Sequence, residues 1–419
     1  MTKYLLPHYL EQTVSRYPGK TAVVSGSRRI SYEELWQKSG RLANHLLSMG
    51  FTPRCPVGIY LDKSVEAVVS LFAVMKAGGM YIPLDSFHSP PSRITRILAS
   101  SATGYLVSDS RLWAGFCSSL SDEEAAFFKD LKVVLVDGLL GDAGGGKSAS
   151  GAGACSYDDT LPEVAPGERT LTDDDIAYIL YTSGSTGVPK GVMLTHRNAT
   201  TFVDWALSCF RPGNTDVFSN MAPLHFDLSV FDIHVSLSCG ASVHLVPNLL
   251  GMNPRALLSW MGESGITYFY SVPSVWVSLL SHAGLKRGDL PALSHVLFAG
   301  EVFPPAQLKA LMGLLPNASY YNLYGPTETN VCTWHEVKSA DEIGDGAVPI
   351  GRACGNTEIV VLKDNDEPAS VGEEGELFVK GPIVTKGYYR DPQGTADAFR
   401  KSPLPVHRGA LLYRTGDRV

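Results

Sequence analysis

Strand-like and helix-like runs alternate along this chain, and that alternation confines it to a small set of architectures. The runs Thr21–Val24, Val57–Leu61 and Tyr81–Leu84 are short and apolar, as buried strands should be, and helical patterns over about Tyr32–Met49 and Ser64–Lys76 separate them. Such alternation predicts parallel sheet covered by helices. The pattern resumes with a helix near Thr195–Cys209 and strands at Ser242–Val246, Thr267–Tyr270, His295–Phe298 and Ser319–Leu323. From about Val331 the texture changes to short β-rich runs such as Glu358–Leu362 and Glu376–Val379, broken by Gly, Pro and Asp turns. The expected fold class is α/β: two β-sheets flanked by helices in a layered core, plus a small β-barrel-like subdomain. The expected division is 1–170, 171–330 and 331–419, the first part ending in a disordered Gly-rich linker.

A chain of 419 residues with 44% hydrophobic content can bury a large core. Its net charge of −7 weighs against a broad nucleic-acid or membrane surface, since both need clustered Lys and Arg. No long apolar core follows Lys3, and no apolar run approaches the length of a membrane span, so neither signal peptide nor membrane helix is expected and a cytosolic location is. The cysteines at 55, 117, 155, 209, 239, 332 and 354 show no Cys-x-x-Cys spacing and read as free thiols.

Residues 178–191, Tyr-Ile-Leu-Tyr-Thr-Ser-Gly-Ser-Thr-Gly-Val-Pro-Lys-Gly, run from an apolar strand into a hydroxyl- and glycine-rich loop closed by Lys190. Thr182, Ser183, Ser185 and Thr186 offer hydroxyl donors, and Gly184 and Gly187 let the backbone curl so that several amides point inward. Lys190 adds a positive charge. This is a loop suited to grip a polyphosphate. A second segment, Gly141–Ser148, satisfies the Walker A pattern after an apolar run, but Ala-Ser-Gly-Ala-Gly-Ala-Cys-Ser follows it, which is poor helix material. A Walker A loop must open a helix whose N-terminus faces the phosphates. That segment reads as a disordered connection.

With that phosphate loop, six further segments together resemble the adenylate-forming superfamily, and within it the amino-acid-activating adenylation domains of nonribosomal peptide synthesis. They are Ile30-Ser-Tyr-Glu-Glu-Leu35, Met75–Asp85, Phe226-Asp-Leu-Ser229, Asn322-Leu-Tyr-Gly-Pro-Thr-Glu328, Gly375–Gly381 and Tyr413-Arg-Thr-Gly-Asp417. The resemblance covers the whole chain. It implies attack of a carboxylate on the α-phosphorus of ATP, giving an acyl-adenylate and pyrophosphate. Glu328 would then hold Mg²⁺ against phosphate oxygens, and Thr327 would donate to the α-phosphate. Tyr324 resembles the adenine-stacking aromatic, and Gly300, beside Glu301, would admit backbone to the base face. Asp417 resembles the carboxylate that accepts the ribose hydroxyls. Asn322 and Gly325 complete the implied nucleotide site.

In the amino-acid-activating members the residue matching Asp227 pairs with the substrate ammonium, a charge-assisted bond of about 1.5–3 kcal/mol. A helix N-cap is the other reading of this residue, because Leu228-Ser-Val-Phe231 follows it. The family frame places Leu228, Phe231, Tyr270, Leu297, Ala299, Leu323, Val331 and Cys332 around the substrate side chain. None offers a second charge, so desolvation would exclude acidic, basic and amide side chains. The set resembles prolyl-activating stand-alone domains, which makes L-proline the expected substrate and a separate peptidyl carrier protein bearing phosphopantetheine the expected partner. His196 and His225 flank motifs but are expected to be structural, because an ionised carboxylate needs no base.

In the family a small C-terminal lid domain follows the Thr-Gly-Asp motif and supplies a lysine to the reacting centre. That domain and lysine find no match here, so the expectation is a large N-terminal core that binds better than it turns over. Two rival readings are an acyl-CoA ligase of the same superfamily, which Asp227 argues against, and a nucleotide- and amino-acid-binding core without efficient turnover. A tRNA synthetase is disfavoured by the acidic chain.

Overall fold

Helix starts follow capping residues written in the sequence. Ser31 accepts the Glu34 amide at 3.2 Å while the Glu34 carboxylate takes the Ser31 amide at 2.8 Å, a reciprocal box that opens helix Tyr32–Ser48. Ser64 caps Val65–Lys76 through the Ala67 amide, and Thr195 with Asn198 boxes the start of His196–Phe210. The family motif around residue 31 is therefore a folding signal. The computed structural model describes residues 3–140, 154–163, 171–183, 189–407 and 409–419. The segment matching Walker A and the loop residues Gly184, Ser185, Thr186 and Gly187 lie outside the described residues.

The strands form three sheets. A seven-stranded sheet runs in the order Ala154–Ser156, Lys132–Leu135, Tyr105–Ser108, Pro56–Tyr60, Met80–Pro83, Ile176–Ser183, Pro189–Thr195. All its pairings are parallel except the last, where Ile176–Ser183 and Pro189–Thr195 form an antiparallel hairpin that pairs Thr182 with Lys190. A nine-stranded sheet has at its centre the parallel strands Ser319–Tyr324, His295–Phe298, Tyr268–Ser271, Val217–Asn220 and Ser242–Leu245. The third, antiparallel sheet contains Glu358–Leu362, Glu376–Lys380, Leu411–Arg418 and Phe399–Lys401 in that order. The β-barrel-like subdomain thus takes the form of a small open sheet, because four strands are too few to close around a core.

The sheets cut across the expected boundaries at 170 and 330. The hairpin Thr21–Ser25 and Arg28–Ser31 joins the nine-stranded sheet, with Val23 opposite Val243, while the phosphate-loop hairpin joins the seven-stranded one. Thr333–Val337 also stays with the nine-stranded sheet, opposite Ser319–Tyr324. Within the expected disordered linker, Ala154–Ser156 forms an edge strand on Lys132–Leu135. Cys155 there packs its Sγ 3.5 Å from His45 Nε2, which gives the strand an anchor that a Gly-rich reading overlooks.

The largest apolar cluster joins the two large sheets, with Val57 and Val107 from one and Val243 and Leu297 from the other. Helix Val65–Lys76 touches both sheets and is buried on every face, which is why it lacks an amphipathic stripe. Among the described residues no helix is long and apolar enough to cross a membrane, and all seven cysteines are free.

Candidate active site

Parallel strands present their carboxyl ends along one edge of a sheet, and the connections leaving those ends are where an open α/β sheet can build a site. Four neighbouring strands do so here. Val217–Asn220 leads into Met221–Pro223, Tyr268–Ser271 into Val272, His295–Phe298 into Ala299 and Gly300, and Ser319–Tyr324 into Gly325–Thr327. Together they line a cavity of about 420 Å³, closed on the remaining sides by Phe226, Asp227, Leu228, Val275, Asn330 and Val331.

The loop after Tyr324 has a shape that only glycine permits at its first position. A Cβ on Gly325 would meet the Asn330 carbonyl oxygen at 2.1 Å. The loop closes as the Cys332 amide donates to the Tyr324 carbonyl at 2.8 Å and the Thr329 amide to the Pro326 carbonyl at 2.8 Å. Asn330 adopts a left-handed φ of 55°. The effect is to place Thr327 on the cavity wall, with the buried Glu328 next to it on a short, internally bonded turn.

Asp227 begins a short helix, Leu228–Val230, that continues as a π-turn over Phe231–Val235. Its side chain makes no capping bond to that helix and instead lies on the cavity wall. Asp227 is half-buried. Burial pushes its carboxyl up to about 6; the Thr327 hydroxyl and the Leu228 amide oppose the rise, and the Glu328 carboxylate adds to it. Among the described residues Asp227 has no ion-pair partner. The cavity therefore carries an anion without a counter-charge.

Around Asp227 some of the residues expected to line the substrate side chain face the cavity and others do not. Leu228, Tyr270, Ala299 and Val331 line the cavity. Phe231, Leu297, Leu323 and Cys332 do not: each is almost completely buried in the main core, behind the wall. Phe231 packs its ring 5.4 Å from that of Tyr270 and supports it from behind. These four are apolar residues on buried faces, and their position in the motif frame alone does not separate wall from backing.

The expected nucleotide residues gather at the same edge. The Tyr324 hydroxyl donates to an Asp417 oxygen, joining the two residues expected at adenine and ribose. The Tyr388 hydroxyl donates to Glu328 Oε1 at 2.6 Å, and Lys190 Nζ lies 5.1 Å from the centre of the Tyr388 ring. Gly300 holds φ at +83° on the cavity wall. Glu301 turns away from it and accepts from the Ser274 amide at 3.0 Å and hydroxyl at 3.2 Å. Asn322 spends its amide on the carbonyls of Val348 and Pro349, at 3.3 and 2.9 Å. Thr182 and Ser183 end the strand Ile176–Ser183, which leads to the loop expected to hold phosphates.

Sequence reading missed Met221, Phe226, Val272, Val275 and Asn330. The carboxyl-end rule was the signal that points to Met221 and Val272. It also missed Lys63, whose Nζ donates to the carbonyls of Asn220 and Met221 at 3.0 and 2.9 Å and so ties the cavity's first loop to the other sheet. Burial lowers the Lys63 amine to about 8, opposed by the nearby Asp232. His196 is structural, as expected: its Nδ1 accepts the Leu6 amide at 3.2 Å, and burial pushes it down to about 3. No cluster of three or more His, Cys, Asp or Glu suited to a metal occurs among the described residues.

Residues 10–389 match the family model described as AMP-binding enzyme. A ligase named for L-proline and the L-prolyl-carrier protein, from Pseudomonas fluorescens, is 38% identical over 408 residues, covering 95% of this chain and 77% of the relative. Its counterpart from Streptomyces coelicolor is 37% identical, with 96% and 76% covered. A ligase named for D-alanine and the D-alanyl carrier protein, from Bacillus licheniformis, is 32% identical, with 97% and 76% covered. Among solved structures, an AMPPNP-bound nonribosomal peptide synthetase superposes with a TM-score of 0.84 at 26% identity, covering 99% of this chain and 41% of that one. The N-terminal subdomain of Klebsiella oxytoca NpsA gives 0.76 at 25% identity, with 99% and 96% covered. A match over nearly the whole length, on a fold that collects the motif residues at one sheet edge, shows that the chain belongs to the AMP-binding enzyme family.

Proposed function

We propose that this chain activates an amino acid as its aminoacyl-adenylate and passes it to the phosphopantetheine thiol of a carrier protein. The observation that carries the reading is Asp227, an anion without a counter-charge in an otherwise apolar cavity. A substrate ammonium supplies the missing charge, and a simple fatty or aryl acid leaves the carboxylate unpaired. The substrate carboxylate oxygen forms a bond to the α-phosphorus of ATP, the bond from that phosphorus to the bridging oxygen breaks, and pyrophosphate leaves with the electron pair.

Each residue has work in this step. Thr327 bridges the two subsites, lining the cavity beside Asp227 and standing one residue from Glu328. Lys190 brings positive charge to the phosphates, and Tyr324 with Asp417 holds the nucleoside. Glu328 fits Mg²⁺, because this ion takes one or two protein carboxylates and fills its remaining positions with water and phosphate oxygens. The metal would neutralise charge on the phosphates. Glu328 offers one carboxylate oxygen beyond the one its Tyr388 bond occupies, which suits that donor set.

For the side chain, Tyr270, Val272, Val275, Ala299 and Val331 make an apolar enclosure. This supports an aliphatic amino acid, and the two prolyl ligases among the relatives favour L-proline. The test is ATP–pyrophosphate exchange with each of the twenty amino acids and with propionate and benzoate, using Asp227→Ala as control. A proline-led signal lost in the control is expected; exchange driven by simple acids and indifferent to the substitution would assign the chain to the acyl-CoA ligases.

A further inference from the structure

Tyr388 belongs to none of the motifs that pointed to the site, yet it touches both of its charged ends. It lies between strand Glu376–Lys380 and helix Pro392–Ala398, in a segment that folds back on the lysine-bearing strand Pro189–Thr195. The Met193 amide donates to the Gly387 carbonyl at 2.9 Å and the Tyr389 amide to the Gly191 carbonyl at 2.7 Å, with Val192 bridged to Tyr388 itself. On the other side the Thr385 amide donates to the Glu328 carbonyl at 2.7 Å. The backbone around Tyr388 thus binds the Lys190 strand to the Glu328 loop.

The side chain makes the same connection. The phenol donates to Glu328 Oε1 at 2.6 Å, which occupies one oxygen of the carboxylate and fixes its rotamer. The ring takes the Lys190 ammonium at 5.1 Å, within reach of a cation–π attraction.

We infer that Tyr388 is a positioning residue of the adenylation site: its hydroxyl sets the Glu328 carboxylate and its ring sets the Lys190 ammonium, so that both meet one polyphosphate. The inference rests on the reading of Glu328 as the Mg²⁺ carboxylate and Lys190 as a phosphate contact.

The experiment titrates Mg²⁺ against equilibrium binding of a fluorescent ATP analogue to the full chain, with melting temperatures recorded for each protein. Tyr388→Phe keeps the ring and is expected to melt with the wild type, to keep its Mg²⁺-free nucleotide affinity, and to need about tenfold more Mg²⁺. Tyr388→Leu is expected to weaken Mg²⁺-free binding as well, because the ring under Lys190 is lost. An unchanged Mg²⁺ midpoint in Tyr388→Phe, or equal weakening with and without the metal, overturns the inference. Glu328→Gln separates the two levels of the argument. Loss of Mg²⁺ dependence in that variant upholds the reading of Glu328, and a wild-type Mg²⁺ response in it overturns that reading and the inference together.

Discussion

Replacing Asp227 with asparagine should stabilise the empty protein while abolishing its affinity for amino acids. In the folded chain the carboxyl titrates near 6 against an ordinary 3.8, chiefly because burial disfavours its charge. A tenfold change in proton affinity is worth about 1.4 kcal/mol, and solvent reaching the group through the cavity discounts the sum, so the charge costs the fold about 2 kcal/mol. The sign follows from linkage. Below pH 3.8 the group is protonated whether the chain is folded or not, and it costs nothing; above about 6 it is ionised in both states and the full penalty applies. Asparagine keeps an acceptor for the Thr327 hydroxyl and carries no charge, so its advantage opens between those limits.

For a chain of 419 residues, about 2 kcal/mol corresponds to a rise in melting temperature of about 2 °C at pH 8, shrinking towards zero near pH 4. Scanning calorimetry of both proteins from pH 4.5 to 8, with and without saturating proline, measures the gap. Proline should raise the wild-type midpoint and leave that of Asp227→Asn unmoved. A variant less stable than wild type at pH 8, or a gap that ignores pH, would refute the reasoning. The carboxylate would then be a structural anchor and not a charge awaiting its ligand.

The same titration predicts that the KM for the amino acid in pyrophosphate exchange rises about tenfold per pH step once pH falls below about 6, because a protonated Asp227 cannot pair an ammonium; a KM flat from pH 5 to 8 would contradict it. Gly325→Ala forces a methyl group against the Asn330 carbonyl oxygen, at a spacing of 2.1 Å where the chain cannot yield cheaply, and should destabilise the fold by about 1–3 kcal/mol with loss of exchange activity, read by calorimetry and assay together. Lys63→Met leaves the Asn220 and Met221 carbonyls without their donor and should cost about 1–3 kcal/mol, with a raised amino-acid KM and an unchanged ATP KM.

What the sequence made legible was local. Ser31 with Glu34, Ser64, and Thr195 with Asn198 mark helix starts by side-chain chemistry that operates within one turn, and the observed helices begin at those residues. Strands Glu358–Leu362 and His295–Phe298 stand where their apolar runs stand. Pairing is a different matter. Val23 meets Val243 because a hairpin near the start of the chain completes a sheet built mostly of later strands, and nothing within Thr21–Ser31 encodes that choice. Boundaries drawn by position along the chain therefore missed sheets assembled by pairing across it.

The site divides in the same way. Asp227, Thr327 and Gly325 were legible through the motifs that hold them, and each is a residue type that ordinary core would not select: an acid, a hydroxyl at an apolar wall, a glycine where no side chain fits. Phe231, Leu297, Leu323 and Cys332 were expected on the wall and are packed in the core, while Met221, Val272 and Val275 line the cavity. Both groups are apolar, and an apolar side chain gains much the same transfer energy whether it faces core or cavity. What separates them is geometry: the lining residues leave the carboxyl ends of adjacent strands or face them, and the backing residues lie deeper in the core. On the proposed reading, specificity for the substrate side chain would depend on residues with no chemical signature of their own, whereas recognition of the ammonium would rest on one whose burial costs stability.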